Sequence, residues 1–170
     1  MSHPVETPAH GGHSEARRGG GPVRGVGLVL IIAGLVFTVA GVVAYIAVQQ
    51  TLADQKIVVA DDADMFAGKD VKGPFTAYAQ AMVIGKHAKD IGGGKTYAEL
   101  PQNDPNRDTV MTASFLRSSL FTSVLAFGVA ALVTGLGVLF VLVGLALLGI
   151  LRRLDSHAAA DATPAKPATT

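Results

Sequence analysis

Ser118–Leu151 is a run of 34 residues without a single Asp, Glu, Lys, Arg or His. A bilayer core of about 30 Å is crossed by roughly 20 apolar helical residues, so this run can span it with length to spare. A second uncharged run, Gly25–Ala53, precedes it. In hydrocarbon every backbone N–H and C=O must be satisfied within the segment, which leaves a helix as the form each run can take. The chain therefore reads as mainly α: a transmembrane helical hairpin with a small extramembrane α domain, carrying a short β segment, between the spans. A cleaved signal peptide is the rival reading of the first run. Its apolar region would be about 7–15 residues followed by a small-residue cleavage site. This run is longer, and no A-x-A triplet follows it.

The small residues in the two runs are periodic. Gly27, Gly34 and Gly41 recur every seven residues, as do Ala33, Ala40 and Ala47. In the second run Ser123, Ala130, Gly137 and Gly144 share that spacing, and so do Gly128 and Gly135. Positions seven apart drift only about 20° around a helix, so each set lines one face. Helices in lipid gain nothing by hiding apolar surface from one another. They associate by close backbone approach, which small residues permit. These twelve positions are the expected packing seam of an antiparallel hairpin, or a face offered to a partner protein.

Asp54–Arg117, 64 residues, is the part left for an aqueous domain. A segment that short buries little surface, so it is expected to lean on the membrane helices. Lys56–Ala60 is β-branched and short and reads as a strand or extended segment. Pro74–Asp90 reads as a helix. Pro74 suits its first position, and Phe75, Tyr78, Ala79, Met82 and Val83 make one apolar face. Gly92, Gly93 and Gly94 end it. Asp104, Pro105 and Asp108 then form a helix start, with no breaker before the second span. One helix is expected from near residue 105 to residue 153, projecting beyond the bilayer. The domain boundaries are thus 1–24, 25–53, 54–117, 118–153 and 154–170, with both tails disordered for lack of large apolar residues.

Arg24 abuts the first span, and Arg152 and Arg153 abut the second. The positive-inside rule places both termini in the cytoplasm and residues 54–117 outside the plasma membrane. Lys and Arg number 14 against 13 acids, with no basic run, which is no nucleic-acid footprint. With no cysteine, thiolate chemistry and Cys-ligated metals are excluded. With no Trp, an interfacial aromatic belt must use Tyr45 and Phe. His3, His10 and His13 match no standard metal spacing. Asp61, Asp62 and Asp64 are three carboxylates in four residues, but they lack the alternation, Gly and Glu of a calcium loop. Gly92–Thr96 lacks the first Gly of a phosphate loop, and no G-x-S-x-G turn is present. Neither span holds an ionisable residue of the kind that marks an ion or proton path.

Lys56-Ile-Val-Val, Asp61-Asp62-Ala63, Gly73-Pro74-Phe75-Thr76-Ala77, Gly94-Lys95-Thr96-Tyr97-Ala98-Glu99-Leu100 and Ala113-Ser114-Phe115-Leu116-Arg117 are the stretches that carry a family resemblance. Over about Val26–Leu151 the chain resembles a family of small, uncharacterised actinobacterial two-span integral membrane proteins. Some members are labelled aromatic-ring-opening dioxygenase. A non-haem iron oxygenase needs two His and one carboxylate. Between the spans there is one His, His87. The residues thus argue against that chemistry. They point to a non-enzymatic structural or interaction subunit, with the bilayer and a membrane protein or second copy as partners, and with no cofactor, metal or catalytic residue. The alternative is an extracytoplasmic sensor or metal- or ligand-binding module using Asp61, Asp62, Asp64, His87 and Glu99.

Overall fold

The computed structural model describes residues 20–161. Three helices carry the fold: α1 (Gly20–Asp54, 35 residues), α2 (Pro74–Ile91, 18 residues) and α3 (Arg107–Asp161, 55 residues). The chain is mainly α, and among the described residues there is no strand. Lys56–Ala60, expected as a strand or extended segment, forms no strand and carries one antiparallel bridge, Val58 with Asp70. Val59 N–H donates to Lys69 O at 2.9 Å, Gly68 N–H to Val59 O at 2.9 Å and Val71 N–H to Ile57 O at 2.8 Å. The ladder goes no further because the chain bends on each side of it. Lys56 and Phe66 both hold positive φ, 52° and 61°, a conformation that a repeating strand cannot use.

Both long helices exceed the sequence expectation at their outer ends. α1 starts at Gly20, inside the tail expected to end at residue 24, and α3 continues to Asp161, eight residues past residue 153. Arg24 forms an ion pair with Asp155, which ties these two ends together. The remaining tail residues, with His3, His10 and His13, lie outside the described residues. α3 begins at Arg107 rather than near 105. The Asp104 carboxylate accepts from the Asn106 N–H at 2.8 Å, and Asn106 O receives the first helical bond from Val110 N–H at 3.0 Å. Asn106 thus stands at the cap, with Pro105 in the turn before it.

Packing divides the chain into two compact units, Gly34–Leu139 and the two helix ends that flank it. Residues 54–117 therefore do not form a body of their own; they share one with the adjoining halves of the spans. Its main core joins Val59 and Val71 from the turn segment and Ala77 and Ala81 from α2 to Leu52 of α1 and to Leu120 and Phe127 of α3. The expected α2 face is only partly the buried one. Ala79 and Val83 are buried, but Phe75, Tyr78 and Met82 are exposed, and the stripe Ala77, Ala81 and Ala88 takes their place. Alanine lets α2 lie close to its neighbours, where a Phe or Met stripe would hold it away. Thr76 secures the start of α2: its hydroxyl donates to Gly73 O at 3.1 Å and accepts from Gly73 N–H at 3.2 Å.

A second, smaller cluster sets Leu100 against Ala88 and Val110. Arg107 holds the loop above it by donating to Tyr97 O at 3.3 Å and to Leu100 O, with its guanidinium 4.3 Å from the Tyr97 ring centre.

α1 and α3 are long and apolar enough to cross a membrane, and only 17% and 11% of their most apolar windows are buried inside the protein. The core helix of a soluble protein is mostly buried. Here Val29, Leu125 and Leu132 stand more than half exposed. That surface is compatible with a two-span membrane protein, whose outer faces meet lipid.

Leu100→Ala removes a side chain that is 4% exposed. It is expected to cost about 2–5 kcal/mol locally. Amide hydrogen exchange should rise in residues 92–113 and stay unchanged in the spans.

Candidate functional site

α1 and α3 meet through glycine. In the unit Gly34–Leu139, a Cβ added at Gly137 would lie 2.6 Å from Gly34 O and 2.5 Å from Thr38 N. A Cβ at Gly41 would lie 2.7 Å from Thr134 N and 2.8 Å from Ala130 O. The Thr38 and Thr134 hydroxyl oxygens lie closer still, and behind them stand these backbone atoms, which cannot move aside as a side-chain end can. Gly34, Gly41, Ala130 and Gly137 are all buried. The Thr38 hydroxyl donates to Gly34 O at 2.8 Å, and that of Thr134 to Ala130 O at 2.9 Å. Each crossing threonine therefore satisfies its proton within its own helix, as a polar group away from water must.

The flanking unit repeats the arrangement. A Cβ at Gly144 would lie 2.6 Å from Gly27 O. At Gly27 the nearest atoms belong to the Leu148 side chain, at 3.2 Å, which can give way.

The other small residues lie elsewhere. Gly128 and Gly135 have nothing within 4 Å of an added Cβ and are exposed. Ala40 and Ala47 are exposed, while Ala33 and Ser123 are half-buried. The structure thus brings together Gly27, Gly34, Gly41, Ala130, Gly137 and Gly144. It leaves Gly128 and Gly135 on open surface, and Ala40 and Ala47 exposed in the walls of two cavities. The heptad spacing alone does not separate the two groups, because each set is equally periodic.

A cavity of about 710 Å³ opens between the end of α1, the middle of α2 and the start of the apolar part of α3. Leu52, Ile57, Ile84 and Leu120 make much of its wall, and Gln55, Gln80 and Ser119 add polar groups. Ligand sites commonly occupy about 300–1,000 Å³. No periodicity announces this cavity, because three elements distant in sequence make it.

The proposed metal donors are scattered. Asp62 Oδ2 lies 2.7 Å from His87 Nε2 and 3.8 Å from Lys86 Nζ. Glu99 instead accepts from the Thr96 N–H and hydroxyl, each at 2.8 Å, closing a local turn. Among the described residues no three His, Asp or Glu side chains converge as metal ligands would. The hydrogen bond from His87 holds the Asp62 carboxyl below its ordinary range, and the Thr96 bonds do the same for Glu99.

No protein-family model, curated protein or solved structure matches the chain.

Gly137→Leu and Gly41→Leu are expected to separate α1 from α3, whereas Gly135→Leu leaves the pair intact. Disulfide trapping between cysteines introduced on the two helices, read on a denaturing gel, checks this. A folded-state pKa held below its ordinary value stabilises the fold above that value, and the contribution fades as pH falls through the lowered pKa. His87→Asn should return the Asp62 carboxyl towards 3.8, its ordinary value, as read by carbon NMR titration.

Proposed function

We propose that this chain is a non-catalytic plasma-membrane protein that works by association, as a structural or interaction subunit of a larger membrane assembly. The reading takes α1 and α3 as its two spans, with both termini in the cytoplasm and the intervening domain outside. The observation that carries it is the unused small-residue face of α3. Gly128 and Gly135 lie seven apart with open space in front of both. A helix already packed through Gly137 does not need them for its own hairpin, and in lipid such a face permits another helix to approach its backbone. Phe75 and Phe115 of the intervening domain are also exposed and offer apolar contact of their own. Aromatic side chains dominate the contact energy of most interfaces.

The resemblance to small two-span actinobacterial proteins bears on membrane residence alone and adds no role. The sensor reading rests on the Asp62–His87 pair, two donors where a bound metal takes four or more. The dioxygenase label needs a second imidazole beside His87, and no other His lies between the spans.

Affinity purification from native membranes, with cross-linking through a cysteine at Gly135, tests the proposal. The expected result is one defined partner, either another membrane subunit or a second copy, whose yield falls about tenfold in Gly135→Leu for a loss of about 1.4 kcal/mol. A chain that migrates alone at native abundance, with no cross-linked neighbour, overturns it. Labelling of a cysteine at Thr96 by an impermeant reagent on intact cells is expected and reports the orientation.

A further inference from the structure

A second cavity, of about 530 Å³, lies below the first along α1 and α3, and the two share Val48, Thr122 and Ala126. They form one continuous trough. Its lower stretch, with Gly41, Ala44, Leu125 and Val129 in its wall, lies within the spans and is apolar almost throughout. Its upper stretch reaches the domain between the spans and adds amides and hydroxyls, among them Gln55, Gln80, Ser119 and Thr51. Neither wall contains an ionisable residue.

The polar groups at the mouth have defined roles. The Thr51 hydroxyl donates to Ala47 O at 2.9 Å and that of Thr122 to Ser118 O at 2.9 Å, so both oxygens remain available as acceptors. Gln80 Oε1 accepts from the Ala60 N–H at 2.9 Å, which leaves its amide N–H groups as donors. Donors and acceptors thus face one mouth without a charge. A phosphate or ammonium head would enter with no counter-charge, at a desolvation cost that hydroxyl and ester groups escape. Below the mouth, a long hydrocarbon chain finds a wall of its own polarity.

We propose that this trough binds a neutral single-chain amphiphile of the monoacylglycerol type, its chain along Ala44 and Val129 and its hydroxylated head among Gln55, Gln80 and Ser119. The inference rests on α1 and α3 lying in a bilayer. It is independent of any protein partner, because Gly128 and Gly135 line neither cavity.

The full chain in phosphatidylcholine vesicles, irradiated with a monoacylglycerol carrying a photoreactive group in its chain, tests the proposal. Adducts are expected on Leu125 and Val129, reduced about tenfold by Ala126→Phe, because a filled trough leaves the chain no surface to bury. Ala44→Leu, lower in the trough, gives the same result by a change of different size and place. A lysophosphatidic acid probe of equal chain length should label about tenfold less, since its charge finds no partner. Equal labelling by both probes, labelling spread over Val39 and Leu132 and indifferent to Ala126→Phe, or a cross-linked second copy seated in the trough overturns the proposal. Release of the unmodified protein from vesicles by alkaline carbonate overturns instead the membrane reading beneath it.

Discussion

α1 and α3 are held together by contact geometry, and the contact is backbone to backbone. For a pair of helices in hydrocarbon, which have no solvent to escape by touching each other, that is the hold available. At Gly137 the facing atoms are Gly34 O and Thr38 N, so close that no side chain fits between them. At Gly41 they are Thr134 N and Ala130 O. Dispersion falls steeply with separation, so a gap of even an ångström forfeits much of it. Glycine at these positions is what lets the contact form.

The domain between the spans depends on that contact. Its core is not its own: Val59, Val71 and the alanines of α2 close over Leu52, Leu120 and Phe127. A segment of 64 residues is marginal on its own, and this one adds the ends of two long helices to its core. Tyr45 packs on Phe127 with ring centres 4.8 Å apart, and Tyr78 on Phe121 at 5.9 Å. These pairs tie the first span, and α2 in turn, to the same stretch of α3. The trough lies where α2 leaves that stretch partly uncovered.

Much of this architecture was legible in the residues. Two uncharged runs longer than a bilayer core allow little besides helices. Pro74 and the Gly92–Gly94 triplet bracket α2 closely, because proline and glycine act through local backbone geometry. Other features were not legible, and each failure has a cause. The strand expected at Lys56–Ala60 rests on β-branched propensity, which expresses itself only where a partner strand is long enough to pair. The large apolar residues of α2 were expected against the turn segment, the bilayer surface or the second long helix; the core took Ala77, Ala81 and Ala88 and left Phe75, Tyr78 and Met82 exposed, since helix spacing rather than hydrophobicity chose the buried side. The outer ends of α1 and α3 were assigned to tails by composition, whereas helix continues through both ends and Arg24 and Asp155 pair there.

The sequence by itself determined that two runs form helices long and apolar enough to cross a membrane. That follows from transfer of uncharged side chains and from the backbone's need for internal hydrogen bonds, both local properties. Tertiary structure alone decided which of several equally periodic glycine sets touch and which stay open, and that a cavity forms beside α2. Periodicity defines a face of a helix but not the rotation of that helix against its neighbour. That rotation is set by the packing of all its faces at once.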